Sequence, residues 1–207
     1  MTNFARSERL ALAAELRSAG PDAPTLCEGW DAKDLAIHIV IRDRYPLSLP
    51  GNAFPQFADK VPWLSERSKK TAAHLAELPW NEIVGMVAGG PGMLSPMSLE
   101  PIDHLANTAE FYVHHEDVRR AGRGFAPRNL PHEFESQCWK IVSAIAKAPG
   151  AHADDPVEFV ADGFGEVHAG PRDAAATVVS GKPSELLLYA FGRRDRANVE
   201  VTAPKKG

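Results

Sequence analysis

The hydrophobic period of this chain changes once, near residue 150, and that change limits the folds open to it. Upstream, apolar residues recur at helical spacing; downstream, they alternate with polar ones. A helical part followed by a smaller mixed α/β part is therefore expected, with domains at 1–150 and 151–207 and APGAHADDP as the linker. Sixteen glycines and seventeen prolines punctuate the elements. A first helix is predicted from Phe4 to Ala19, with Leu10, Ala13, Ala14 and Leu16 on its apolar face and Gly20-Pro21 at its end. Asp31 and Asp34 have the spacing of a capping box, which starts a second helix at Ala32 and carries it to about Tyr45. The proline-rich stretch 47–62 reads as a loop. Helices are expected over 63–78, 81–88, 101–121 and 131–147, the last with Phe134, Cys138, Ile141 and Ile145 in register. Beyond 150, strands are expected around 157–161, 164–167, 175–179 and 198–202, with a hairpin at Asp162-Gly163 and a short helix over 184–190.

Composition excludes several functions. At 44% hydrophobic and 24% charged residues, the chain has enough apolar material for a packed core, so it is no disordered tail. A net charge of -4 argues against nucleic-acid binding as its main task. No run approaches ~20 apolar residues, so no transmembrane helix is expected. Two cysteines make no disulfide framework, and the N-terminus lacks a signal-type cleavage site, which together point to a cytoplasmic protein.

Chemistry concentrates in PIDHLANTAEFYVHHEDVRRA. On a helix its apolar stripe is Ile102, Leu105, Ala106, Ala109 and Val113. Asp103, Asn107, Glu110, His114 and Asp117 line one edge of that stripe, while His104 and His115 turn away from it. Glu110 and His114, four residues apart, project together from adjacent turns, as metal ligands or as a surface pair. Asp117 is placed to accept the other imidazole N–H of His114, or to pair with Arg119 or Arg120. His38, in the apolar run LAIHIVI, is either a packed core histidine or a third ligand. With Glu110 and His114 it would leave a fourth coordination position open, the pattern of catalytic zinc. Cys27 reads as a packed thiol more readily than a metal neighbour, Cys138 as an inert core residue, and Trp30 as a plug at the bundle end. Arg42 either faces the pocket, holding a substrate carboxylate, or forms a surface salt bridge. GGPGM lacks the following Lys-Ser/Thr of a phosphate loop and reads as a lid or a connection.

The segments PTLCEGWDAKDLAIHIVIRDRYP and NTAEFYVHHEDVRRA resemble the DinB-like, mycothiol-dependent maleylpyruvate isomerase superfamily, in detail an uncharacterised metal-binding branch. The resemblance implies a mainly α fold: a DinB-like four-helix bundle followed by a small, sterol-carrier-like α/β domain. It implies metal ligation by His38, Glu110 and His114, support from Asp117, and an approach of Arg193, or alternatively Arg194, in AFGRR to an anionic substrate. It implies a divalent metal, zinc by default with nickel as the alternative, and a low-molecular-weight thiol as co-substrate. The activity implied is S-transfer or isomerisation of a small electrophilic or anionic substrate; homodimerisation is left open. A metal-dependent hydrolase and a non-catalytic metal- or ligand-binding module are the competing readings. The module would show a dry apolar cavity beyond residue 150.

Overall fold

A computed structural model describes residues 3–45, 62–91, 106–122 and 124–204, with side chains of the third helix from residue 69. The expected loop 47–61, most of GGPGMLSP and the helix start at 101–105, with Asp103 and His104, lie outside the described residues. The described part is seven helices and a four-stranded sheet, in the expected order of a helical part followed by an α/β part. It divides into two compact units, Met1–Phe125 and Ala126–Gly207.

The first unit contains α1 (Phe4–Ala19), α2 (Ala32–Arg44), α3 (Pro62–Ala76), the short α4 (Trp80–Gly89) and α5 (Thr108–Arg119). Helix α1 starts where Asn3 Oδ1 accepts the N–H of Arg6 at 2.8 Å. Its buried face is Ala5, Glu8, Leu12, Ala13 and Leu16; Leu10, expected inside, is 47% exposed. The buried face thus includes a glutamate, Glu8, in place of Leu10. Helix α2 has the expected box: Asp31 Oδ1 accepts from Asp34 N, and Asp34 Oδ2 accepts from Asp31 N. Helix α1 packs against α4 and α5, and α2 against α3 and α4. Leu12, Leu16, Leu35, Ile39, Ile83, Val84 and Phe111 form the centre of one core. At the end of α4, Gly90 has φ +69°, and the Arg9 guanidinium lies where a Cβ at Gly90 would stand. A backbone in that left-handed region with no room beside it admits glycine alone.

The second unit begins earlier than the expected boundary at 150. Helix α6 (His132–Ala146) packs on α7 (Pro183–Ala190) and on β2. The carboxylate of Glu135 accepts from Ser184 N at 2.8 Å and from Ser184 Oγ at 2.9 Å, so α6 supplies the cap that α7 lacks in its own sequence. The sheet has the order β2-β1-β3-β4, from β1 (Val157–Ala161), β2 (Gly165–Ala169), β3 (Thr177–Ser180) and β4 (Glu200–Thr202). β1 pairs with β2 antiparallel and with β3 parallel, and Phe159 stands opposite Val167 on one side and Val179 on the other. The turn between β1 and β2 uses Gly163 at φ 76°, as the Asp-Gly signal predicts.

Candidate metal centre

Helix α5 carries most of the site, and it is not amphipathic in the expected sense. Every residue from Thr108 to Val118 except Glu110 is buried. It enters through a π turn at residues 106–107, a local widening of the helical ladder. Its ionisable groups are buried because each finds a partner. His115, placed by sequence on a side away from the polar edge, meets Glu8 Oε2 of α1 at 3.3 Å. Glu116 receives Arg119 through two bonds of 3.1 Å and holds Arg120 in a short contact. Local spacing gives no sign of the His115–Glu8 pair, whose members are 107 residues apart.

Of the polar edge, Glu110, His114 and Asp117 adjoin one another along α5, and His38 of α2 meets them. His38 Nε2 is 3.1 Å from Glu110 Oε1, and His114 Nε2 is 3.4 Å from the same oxygen. The two rings meet edge to face, 5.3 Å apart at their centroids. Ligand atoms of His38, Glu110 and His114 all lie within 4.8 Å of one another. On the far side of the His114 ring, Nδ1 is 2.9 Å from Asp117 Oδ2. Asp117 is fully buried, so this contact is shielded from competing water. A carboxylate on Nδ1 sets the tautomer and leaves Nε2 to face the cluster. Trp30, expected as a plug, stacks at a tilt against His38 with centroids 5.2 Å apart.

Arg42 is buried rather than on the surface, and it pairs with carboxylates there. It is 9% exposed, 3.3 Å from Asp43 Oδ1 and 3.5 Å through Nε from Glu110 Oε1. Its guanidinium and that of Arg9 both lie over the Phe111 ring, at 5.9 and 5.6 Å. Cys27, read as a packed thiol more readily than as a metal neighbour, lies beside Asp117 and His114. Its thiol donates to Asp117 Oδ2 at 3.2 Å and lies 3.9 Å from His114 Nδ1. Its nearness to a glycine-tryptophan loop before the His38 helix was the available signal. Cys138 is buried in α6, as expected, and neither cysteine is in a disulfide. Arg193, in the second unit, donates through Nη1 to Phe191 O at 2.6 Å.

Burial opposes ionisation of Glu110, but the hydrogen bonds of His114 and His38 and the charges of His114 and Arg42 hold its carboxyl well below the usual range. Burial likewise opposes a charged His114, yet Asp117, Cys27 and Glu110 raise it well above an ordinary imidazole. Burial pushes Asp43 up to about 6, against the pull of Arg42 and Arg9. The resulting array is a negative carboxylate between two imidazoles. A divalent cation bound there would take the place of a proton, so binding would be favoured as pH rises.

The second unit holds a groove of about 410 Å³ lined by small residues together with Lys147, His168 and Arg172. With three basic side chains in its lining, this groove is not the apolar cavity expected of a lipid carrier. No described helix is long and apolar enough to cross a membrane.

Residues 5–87 match the family model described as the mycothiol maleylpyruvate isomerase N-terminal domain. Among solved structures, a mycothiol-dependent maleylpyruvate isomerase is 15% identical, with a TM-score of 0.62 over 99% of this chain and 92% of that one. A point variant of a mycothiol-dependent maleylpyruvate isomerase is 16% identical, with a TM-score of 0.57 over 99% of this chain and 94% of that one. No curated protein matches. At these identities the structural likeness is one of fold, and the sequence match rests on the helices that bring His38 to the cluster. Residues 5–87 are thus similar to the mycothiol maleylpyruvate isomerase N-terminal domain, and the whole chain shares the fold of the mycothiol-dependent maleylpyruvate isomerases.

Proposed function

We propose that this protein is a divalent-metal-dependent enzyme that uses a low-molecular-weight thiol of the mycothiol type for isomerisation or S-transfer on a small electrophilic or anionic substrate. The observation that carries this reading is the convergence of His38 Nε2 and His114 Nε2 on one oxygen of Glu110, with Asp117 behind His114. This donor set of two imidazoles and a carboxylate suits zinc, with nickel as the alternative. His38, Glu110 and His114 are the residues that would hold the ion. When bound, such a metal supplies Lewis acidity that makes a thiol a thiolate at neutral pH.

The chain's own residues do the rest. Asp117 keeps a proton on His114 Nδ1 and so directs the lone pair of Nε2 into the site. Trp30 limits rotation of the His38 ring. Arg42, buried beside Glu110, offers a fixed positive charge to an anionic substrate group. Arg193 is assigned to a second anionic group on the grounds of the resemblance. Glu110 cannot be both a ligand and a free base, so hydrolysis would need a base from elsewhere.

The test is metal content of the untagged protein by mass spectrometry, with wild type beside His38→Ala and His114→Ala, followed by a mycothiol-dependent assay on maleylpyruvate. The expected result is near-stoichiometric metal lost in both folded variants, with turnover only when thiol is added. Asp117→Asn should weaken metal binding by about 10–100-fold. Wild-type protein that resists metal loading would overturn the reading, and turnover without thiol would favour the hydrolase.

A further inference from the structure

Cys27 carries a thiol, a donor of metal-ligating type, that this reading leaves unused, and its position is built rather than slack. Thr25 Oγ1 accepts the Cys27 N–H at 3.1 Å and donates to Trp30 O at 2.9 Å. Trp30 N–H closes the turn onto Cys27 O at 3.0 Å. The neighbouring Leu26 N–H donates to Asp117 O at 3.0 Å, which ties the loop to α5. These bonds hold the thiol 3.2 Å from Asp117 Oδ2 and 3.9 Å from His114 Nδ1, while those two atoms are 2.9 Å apart. A sulfur, a nitrogen and an oxygen thus lie within 4.8 Å of one another. Ligand atoms bound to one tetrahedral ion at ~2.0–2.3 Å stand roughly 3–4 Å apart, close to this spacing.

We infer that Cys27 Sγ, His114 Nδ1 and Asp117 Oδ2 form a second metal-ligand set, suited to a thiophilic ion, that shares His114 with the His38–Glu110–His114 set. Sulfur is the basis of its selectivity, because a soft thiolate favours a softer ion than imidazole and carboxylate do. Sharing makes the two sets exclusive. A neutral imidazole has one lone pair, so an ion on Nδ1 puts the ring proton on Nε2 and removes that nitrogen from the first set. Asp117 then changes from the partner of a ring N–H to a ligand. As the sulfur–metal bond forms, the thiol proton leaves to solvent. A thiophilic ion at this position therefore inhibits whatever the first set does, and the inference stands whether or not that activity is thiol transfer.

The experiment adds Cd2+ to the metal-free full-length protein and reads the ultraviolet thiolate-to-cadmium charge-transfer band. The band should saturate at one ion per chain in wild type, in His38→Ala and in Cys138→Ser. It should vanish in Cys27→Ser, and Asp117→Asn should need about tenfold more Cd2+ or higher. Circular dichroism checks that each variant is folded. Cadmium NMR of the wild type supplies an independent reading, with a thiolate-shifted resonance expected. A band that survives Cys27→Ser overturns the inference. So does a band lost in folded His38→Ala, which would place Cys27 in the first set, or a resonance typical of nitrogen and oxygen ligands alone.

Discussion

The two units bury their polar groups by different rules. In the second, β1 alternates between buried and partly buried residues, α7 hides Leu186, Leu187 and Leu188, and Glu135 is buried as a cap. In the first, α5 alone buries His114, His115, Glu116 and Asp117, each held by a partner from α5, from α1 or from the loop before α2. The second unit is thus stabilised mainly by apolar volume, whereas α5 depends on matched charge. Matched buried charges contribute little net stability, but losing one member is costly. A helix built this way is kept for what its polar groups do together.

The largest expected effect comes from breaking a match on α5. Glu116→Ala removes the carboxylate shared by Arg119 and Arg120 and should cost about 3–5 kcal/mol, read by urea unfolding. A cost near zero would mean that α5 obeys the same rule as the second unit. Leu187→Ala, in the apolar face of α7, should cost about 2–5 kcal/mol through lost volume. That cost should be insensitive to salt; strong salt dependence would blur the contrast.

The smallest effect sharpens it through pH. The Asp43 carboxyl rises from 3.8 to about 6 on folding, so the folded state binds the proton more tightly than the unfolded one. Its stabilising contribution is full below about 3.8 and is lost as pH rises through about 6. The loss approaches about 3 kcal/mol at neutral pH by the conversion of pKa to free energy. Asp43→Asn should remove this slope, seen as stability of wild type minus variant between pH 4 and 8. A flat difference would show that ionised Asp43 is fully compensated by Arg42 and Arg9.

Legibility followed the range of the interaction. The capping box of α2, the stop of α1 at Gly20 and the Asp-Gly turn of the sheet are local, and each was readable within a few residues. The Glu110–His114–Asp117 edge was readable for the same reason: four- and three-residue steps fix neighbours on any helix. Periodicity failed where a polar residue was buried by a distant partner. Leu10, expected inside, is exposed, while Glu8 is buried against His115 across the core. Cys27 is 90 residues from Asp117, so its thiol looked like ordinary packing. The apolar face of α6 was visible at Phe134 and Cys138, but nothing in its spacing says that Glu135 caps Ser184. That is why the units divide near 125 rather than 150.

The 72 residues between His38 and Glu110 also have a consequence in time. At ~5–20 residues per second, a ribosome needs about 4–14 s to pass from one to the other. Throughout that interval the emerging polypeptide displays a single imidazole of the trio. A truncated product ending near residue 87, the limit of the matched family segment, would lack both α5 partners. The cluster therefore cannot assemble until α5 emerges and Asp117 can accept the amide of Leu26.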